Sequence, residues 1–84
     1  MVKEMNNQMD YNLEIDCIGL FCPLPIAKTK EGIERLNIGE ILKIEADDPA
    51  AESDIKAWAK RTGHKIIRFV NEDGIFIFYI KKMK

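Results

Sequence analysis

The stretch Gly19-Leu20-Phe21-Cys22-Pro23-Leu24-Pro25 organises the reading of this chain. A cysteine is followed at once by proline, and by a second proline two positions on. A run of helical character then extends from Ile26 to Leu36. Proline is tolerated in the first turn of a helix, where its missing N–H costs nothing. The spacing therefore predicts a helix from about Pro23 to Leu36, with Cys22 as its cap, Pro23 at N1 and Pro25 at N3. Unpaired N–H groups and partial positive charge at a helix start favour a sulfur there as thiolate. Cys22 is thus expected to be a reactive thiol held on a fixed helix end.

Working outward, Tyr11 to Cys17 alternates, with Tyr11, Leu13, Ile15 and Cys17 on one side and Asn12, Glu14 and Asp16 on the other. Period two is a half-buried strand, and its apolar side should face the helices. Gly19 lies in the turn from strand to helix, where it can adopt positive φ. On the helix, Ile26, Ile33 and Leu36 share a face that Gly32 weakens, so this helix depends on tertiary packing. Asn37-Ile38-Gly39 ends it.

Glu40 to Ala46 alternates again, with Leu42, Ile44 and Ala46 opposite Ile41, Lys43 and Glu45. Asp47-Asp48-Pro49 then repeats the logic of the first helix, with Asp48 expected as N-cap and Pro49 as N1. The second helix, to about Thr62, puts Ala51, Ile55, Trp58 and Ala59 on one stripe, and Gly63 is a natural stop. Lys65–Glu72 and Ile75–Lys81 are β-rich runs joined by Asp73-Gly74, a strong hairpin signal. The last run is apolar on both sides. It is either central in the sheet or exposes a patch on its open face.

The order strand–helix–strand–helix–strand–strand predicts an α+β fold. It is a two-layer α/β sandwich, βαβαββ, with two helices on one face of a four-stranded mixed sheet. Residues 1–10 are expected to be a flexible N-terminal tail, and 11–84 a single domain.

Composition narrows the function. The 84 residues carry 13 basic and 14 acidic side chains, a net charge of -1, which argues against a dedicated nucleic-acid binder. The start lacks the apolar core of a signal peptide, and no run approaches membrane-spanning length. The chain reads as cytoplasmic and without a membrane role, its two cysteines reduced. No metal is expected, because two cysteines and His64 lack a usual ligand spacing. No cofactor is expected either. His64, Asp47 and Asp48 read as cap residues, and Trp58 as core. Lys28, Lys30 and Arg35 could guide an acidic partner toward Cys22. Cys17 is either a small core residue or a resolving thiol for Cys22.

The segment Asp16-Cys17-Ile18-Gly19-Leu20-Phe21-Cys22-Pro23-Leu24-Pro25 resembles the D-x-x-G-L-x-C-P-x-P signature of the TusA/SirA-like sulfur carriers. Ala46-Asp47-Asp48-Pro49-Ala50, with Asp54-Ile55 and Trp58, resembles the family's second landmark. The resemblance runs from about Leu13 to the C-terminus. It implies the βαβαββ fold, with Cys22 in the place of the sulfur-carrying cysteine and Gly19, Pro23 and Pro25 as its support. It further implies that Cys22 accepts sulfane sulfur as a persulfide from a cysteine desulfurase or rhodanese-like donor. The sulfur then passes to an acceptor protein, toward tRNA thiolation or other sulfur metabolism. Cys17, and the apolar Phe21 and Leu24, depart from better-known members. Leu20, Phe21 and Leu24 would form an apolar rim for partners. Two further readings are a redox module cycling a Cys17–Cys22 disulfide and a non-catalytic binding or regulatory module.

Overall fold

A computed structural model of the protein describes residues 10–84. The tail expected over 1–10 falls outside the described residues except for Asp10. The elements are β1 (Leu13–Cys17), α1 (Leu24–Glu34), β2 (Ile41–Ala46), α2 (Ala51–Thr62), β3 (Lys65–Glu72) and β4 (Ile75–Lys81). The sheet order is β1-β2-β4-β3. β1 runs parallel to β2, as a crossover through α1 requires, and β4 pairs antiparallel with both β2 and β3. The four-stranded mixed sheet with two helices is the architecture expected from the sequence.

The alternation along β2 sorts its side chains as anticipated. Leu42, Ile44 and Ala46 are fully buried toward the helices, beside Phe78 and Ile80 of β4. From above, α1 contributes Ile33 and α2 contributes Ile55, Trp58 and Ala59. The doubly apolar β4 is central, between β2 and β3, which resolves the choice its sequence left open. Asp73 (φ 52) and Gly74 (φ 84) both take positive φ in the β3–β4 turn, the conformation an Asp-Gly hairpin demands.

Gly32 has a second role besides weakening the helix. A Cβ there would meet Ile15 Cδ1 at 2.7 Å and Leu42 Cδ1 at 3.0 Å. The missing side chain lets α1 lie close on β1 and β2 at the end away from Cys22. Thr29 is also buried under α1, and its hydroxyl donates to the Pro25 carbonyl at 2.7 Å.

Tyr11 departs from the expected alternation. β1 begins at Leu13, so the tyrosine precedes the strand and is free of its pleat. Its ring lies on the open face, 6.5 Å from that of Tyr79, and Lys43 Nζ sits 5.2 Å from its centroid. Lys43 is buried on this face, yet satisfied by Glu45 at 3.4 Å and Glu14 at 3.7 Å. Two rings and two carboxylates thus cover a lysine that would otherwise be costly to bury.

Candidate functional site

Cys22 lies in a loop built from two successive turns. In the first, the Leu20 N–H donates to the Cys17 carbonyl at 3.1 Å, with Gly19 at φ 84. In the second, the Leu24 N–H donates to the Phe21 carbonyl at 2.8 Å, and the Cys22–Pro23 peptide is cis. The helix begins later than its prolines suggest. Pro23 is the N-cap, Leu24 is N1 and Pro25 is N2, and the helix closes at Glu34 rather than Leu36. Cys22 therefore precedes the helix instead of capping it.

Three aspartates hold this loop through its backbone. Asp16 Oδ1 accepts from Ile18 N–H at 2.9 Å, Asp47 Oδ1 from Gly19 N–H at 2.9 Å, and Asp48 Oδ2 from Cys22 N–H at 2.9 Å. Asp48 is not the N-cap of α2, which begins at Ala51 with Ala50 as cap. Its side chain is 8% exposed and bridges two loops, since Oδ1 also accepts from Ala50 N–H at 3.1 Å. The local signal for a cap was sound in chemistry, an aspartate before a helix, but its strongest bond crosses to the cysteine loop. Such a bond cannot be read from neighbouring residues.

The thiol is exposed, and its surroundings are acidic. The nearby Asp54 carboxylate, in the first turn of α2, favours the protonated thiol as a donor and is the main cause that pushes the Cys22 thiol up. Partial loss of hydration and the charges of Asp54 and Asp48 add to it. The expected preference for thiolate is thus reversed. Cys22 lies outside the helix, and carboxylates stand where helix N–H groups were expected to act. Among the cations proposed to guide partners, Lys28 pairs with Glu31 at 3.8 Å on the exposed surface of α1. Asp54 is the residue whose place at the thiol was missed. It stands 32 positions from Cys22 in the sequence, and only the packing of α2 beside the loop brings it there.

Around the thiol the apolar rim is exposed on two of its three sides. Phe21 is 66% and Leu24 47% exposed, whereas Leu20 turns partly inward and packs against the core. Ile18, in the preceding turn, is exposed as well. Cys17 is a free, fully buried thiol in the core at the end of β1, and burial pushes it up. Among the described residues no group of three or more His, Cys, Asp or Glu is arranged to hold a metal ion. No described helix is long and apolar enough to cross a membrane.

Comparison with known proteins gives the family. The family model described as "Sulfurtransferase TusA" matches residues 13–82. A putative sulfur carrier protein of Archaeoglobus fulgidus is 44% identical over 72 residues, 84% of this chain and 94% of that protein. The sulfur carrier protein TusA of Allochromatium vinosum is 40% identical over 73 residues, 87% of this chain and 96% of that one. The crystal structure of a SirA-like protein from Desulfitobacterium hafniense superposes with a TM-score of 0.76 at 20% identity. It covers 87% of this chain and 100% of that one, and it supports the fold alone. With residues 13–82 matched by the family model and the relatives covering most of the chain, the chain belongs to the TusA sulfurtransferase family.

Proposed function

We propose that this protein is a cytoplasmic sulfur carrier in which Cys22 holds sulfane sulfur as a persulfide. The observation that carries the reading is the exposed Cys22 thiol on a loop fixed by Asp16, Asp47 and Asp48. The sulfur-carrier relatives, matched over most of their own length, support it. Gly19, Pro23 and Pro25 act as structural support. Gly19 supplies the positive φ of the first turn, and the prolines set the start of α1.

The transfer needs no cofactor. Cys22 Sγ attacks the outer sulfur of a persulfide on a donor such as a cysteine desulfurase or rhodanese-like protein. A bond forms between Cys22 Sγ and that sulfur, the donor's S–S bond breaks, and the donor cysteine leaves as a thiol with the proton Cys22 gives up. Unloading is the same exchange on an acceptor protein, toward tRNA thiolation or another branch of sulfur metabolism. The chain is then a sulfurtransferase intermediate. The buried position of Cys17 weighs against the redox reading, because an oxidant or a mixed disulfide would have to reach a thiol inside the core.

The test follows radiolabelled sulfur. The chain is incubated with a cysteine desulfurase and cysteine carrying labelled sulfur, then separated from the donor. Label retained on the chain and released by reductant supports the carrier. Label that stays on the desulfurase while the Cys22 thiol remains free counts against it.

A further inference from the structure

We infer that the Cys22 face docks a protein surface that is both apolar and basic, and that the partner sets a lysine or arginine against Asp54, above the buried Asp48, beside the cysteine loop. The inference deepens the sulfur-carrier reading and rests on it for the identity of the partner as donor or acceptor.

The apolar half of the surface is on the outside of the fold. Ile18, Phe21 and Leu24 are exposed in the two turns that carry Cys22, with Phe21 the most exposed of the three. Large apolar side chains grouped around one exposed thiol are a contact surface rather than scattered exposure. The basic half follows from charge. Asp16, Asp47 and Asp48 bond to the loop backbone, Asp48 to the N–H of Cys22 itself, and the charge of Asp54 on the first turn of α2 is felt at the thiol. None of these four is ion-paired among the described residues, whose ion pairs involve Glu14, Glu31, Glu45 and Glu52 instead. A partner with an acidic surface would be repelled here, and one with only apolar groups would desolvate carboxylates without compensation. Arginine beside apolar contacts fits both halves.

Such a partner also has a chemical effect. Asp54 and Asp48 disfavour the thiolate of Cys22. A cation brought to them offsets their field and favours the thiolate that attacks sulfur. The proton leaves with the donor's cysteine, as in the exchange above. Cys22 would be sluggish alone and activated on docking, which suits a carrier that meets other electrophiles between partners.

The test uses short cysteine peptides activated as 2-thiopyridyl disulfides. Cys22 forms a disulfide with the peptide, the peptide–pyridyl S–S bond breaks, and released thiopyridone is followed by absorbance. Four peptides carry arginine or glutamate next to cysteine, with leucine or serine beyond. The intact chain is expected to react faster with arginine than with glutamate peptides by about tenfold at low salt. The ratio should fall toward unity in roughly 0.5 M salt, where the screening length is a few ångströms. It should fall likewise in Asp54→Asn, and leucine should exceed serine in wild type but not in Leu24→Ser. Ratios between peptides cancel changes in intrinsic thiol reactivity, and a neutral disulfide with circular dichroism confirms that each variant is folded and its thiol accessible. Equal rates, a preference for glutamate, or an arginine preference that survives either salt or Asp54→Asn overturns the inference. No sulfur donor is present, so the two readings fail separately. A retained arginine preference with no sulfur loading removes the carrier, whereas loading without the preference removes only the basic partner surface.

Discussion

The backbone N–H of Cys22 donates to Asp48 Oδ2 at 2.9 Å, across 26 positions of sequence. One carboxylate thereby ties the loop before α1 to the turn before α2, and the thiol is held by a residue that reads locally as a helix cap. Because the same side chain also accepts from Ala50 N–H, its loss frees two backbone donors at once.

Asp48→Ala should therefore destabilise the fold by about 1–3 kcal/mol, the cost of leaving partly buried donors unmade. Urea denaturation checks the magnitude. Hydrogen exchange should show the loss of protection centred on the Cys22 and Ala50 amides. A stability change within error of zero would mean that water replaces the carboxylate without cost.

The thiol's titration gives a second test. The Asp54 carboxylate, which favours the protonated thiol as a donor, raises its pKa, followed by desolvation and the charges of Asp54 and Asp48. The thiolate fraction at any given pH is then below that of an ordinary cysteine, whose midpoint is about 8.5. The pH–rate curve for alkylation of Cys22 by iodoacetamide should have its midpoint above that value, and Asp54→Asn should move it down. A wild-type midpoint at or below the ordinary one contradicts the electrostatics described for the loop.

Gly32 marks a packing limit. A β-branched side chain at this position would run into Ile15 and Leu42, and Gly32→Val should cost about 1–3 kcal/mol in urea denaturation. Gly32→Ala should cost less. The nearest atom, Ile15 Cδ1, ends a side chain that can turn away, and alanine gains up to about 1 kcal/mol of helix propensity. Equal effects for the two would show that α1 simply lifts off the sheet.

His64 supplies a pH dependence. Its Nδ1 accepts from Met83 N–H at 3.2 Å, and its ring lies 5.5 Å from Trp58. Burial, then Lys82 and Lys84, lowers its pKa. A base with a lowered folded pKa contributes stability that is complete above the unfolded value of about 6.5 and is lost as pH falls through the folded value. The urea midpoint of the wild type should drop between roughly pH 7.5 and 5 by more than that of His64→Gln. Parallel curves for the two would remove His64 from the acid sensitivity.

Much of the fold is legible in the sequence because the signals that decide it are local. The alternation of β2 and the Asp73-Gly74 turn are each properties of a few adjacent residues, as is the Gly63 stop at φ 86. The doubly apolar β4 needed only one further fact, its central place in the sheet. What escaped depends on contacts made at a distance. Tyr11 continues the apolar alternation, yet it precedes the strand and packs over Lys43. Pro23 reads as N1, but the turn from Phe21 to Leu24 comes first and delays the helix. The site shows the same division. Cys22 stands out from its own neighbours, while the nearness of Asp54 and the bridging role of Asp48 emerge only when α2 folds beside it.

The most direct test of Cys22 as the carrier site is intact-protein mass spectrometry after incubation with a cysteine desulfurase and cysteine. Wild type, Cys17→Ser and Cys22→Ser are compared, with circular dichroism to confirm that each is folded. The expected result is one added sulfur on wild type and on Cys17→Ser, removed by reductant and absent from Cys22→Ser. A folded Cys22→Ser that gains sulfur as wild type does, or a wild type that gains none while its Cys22 thiol stays free, contradicts it.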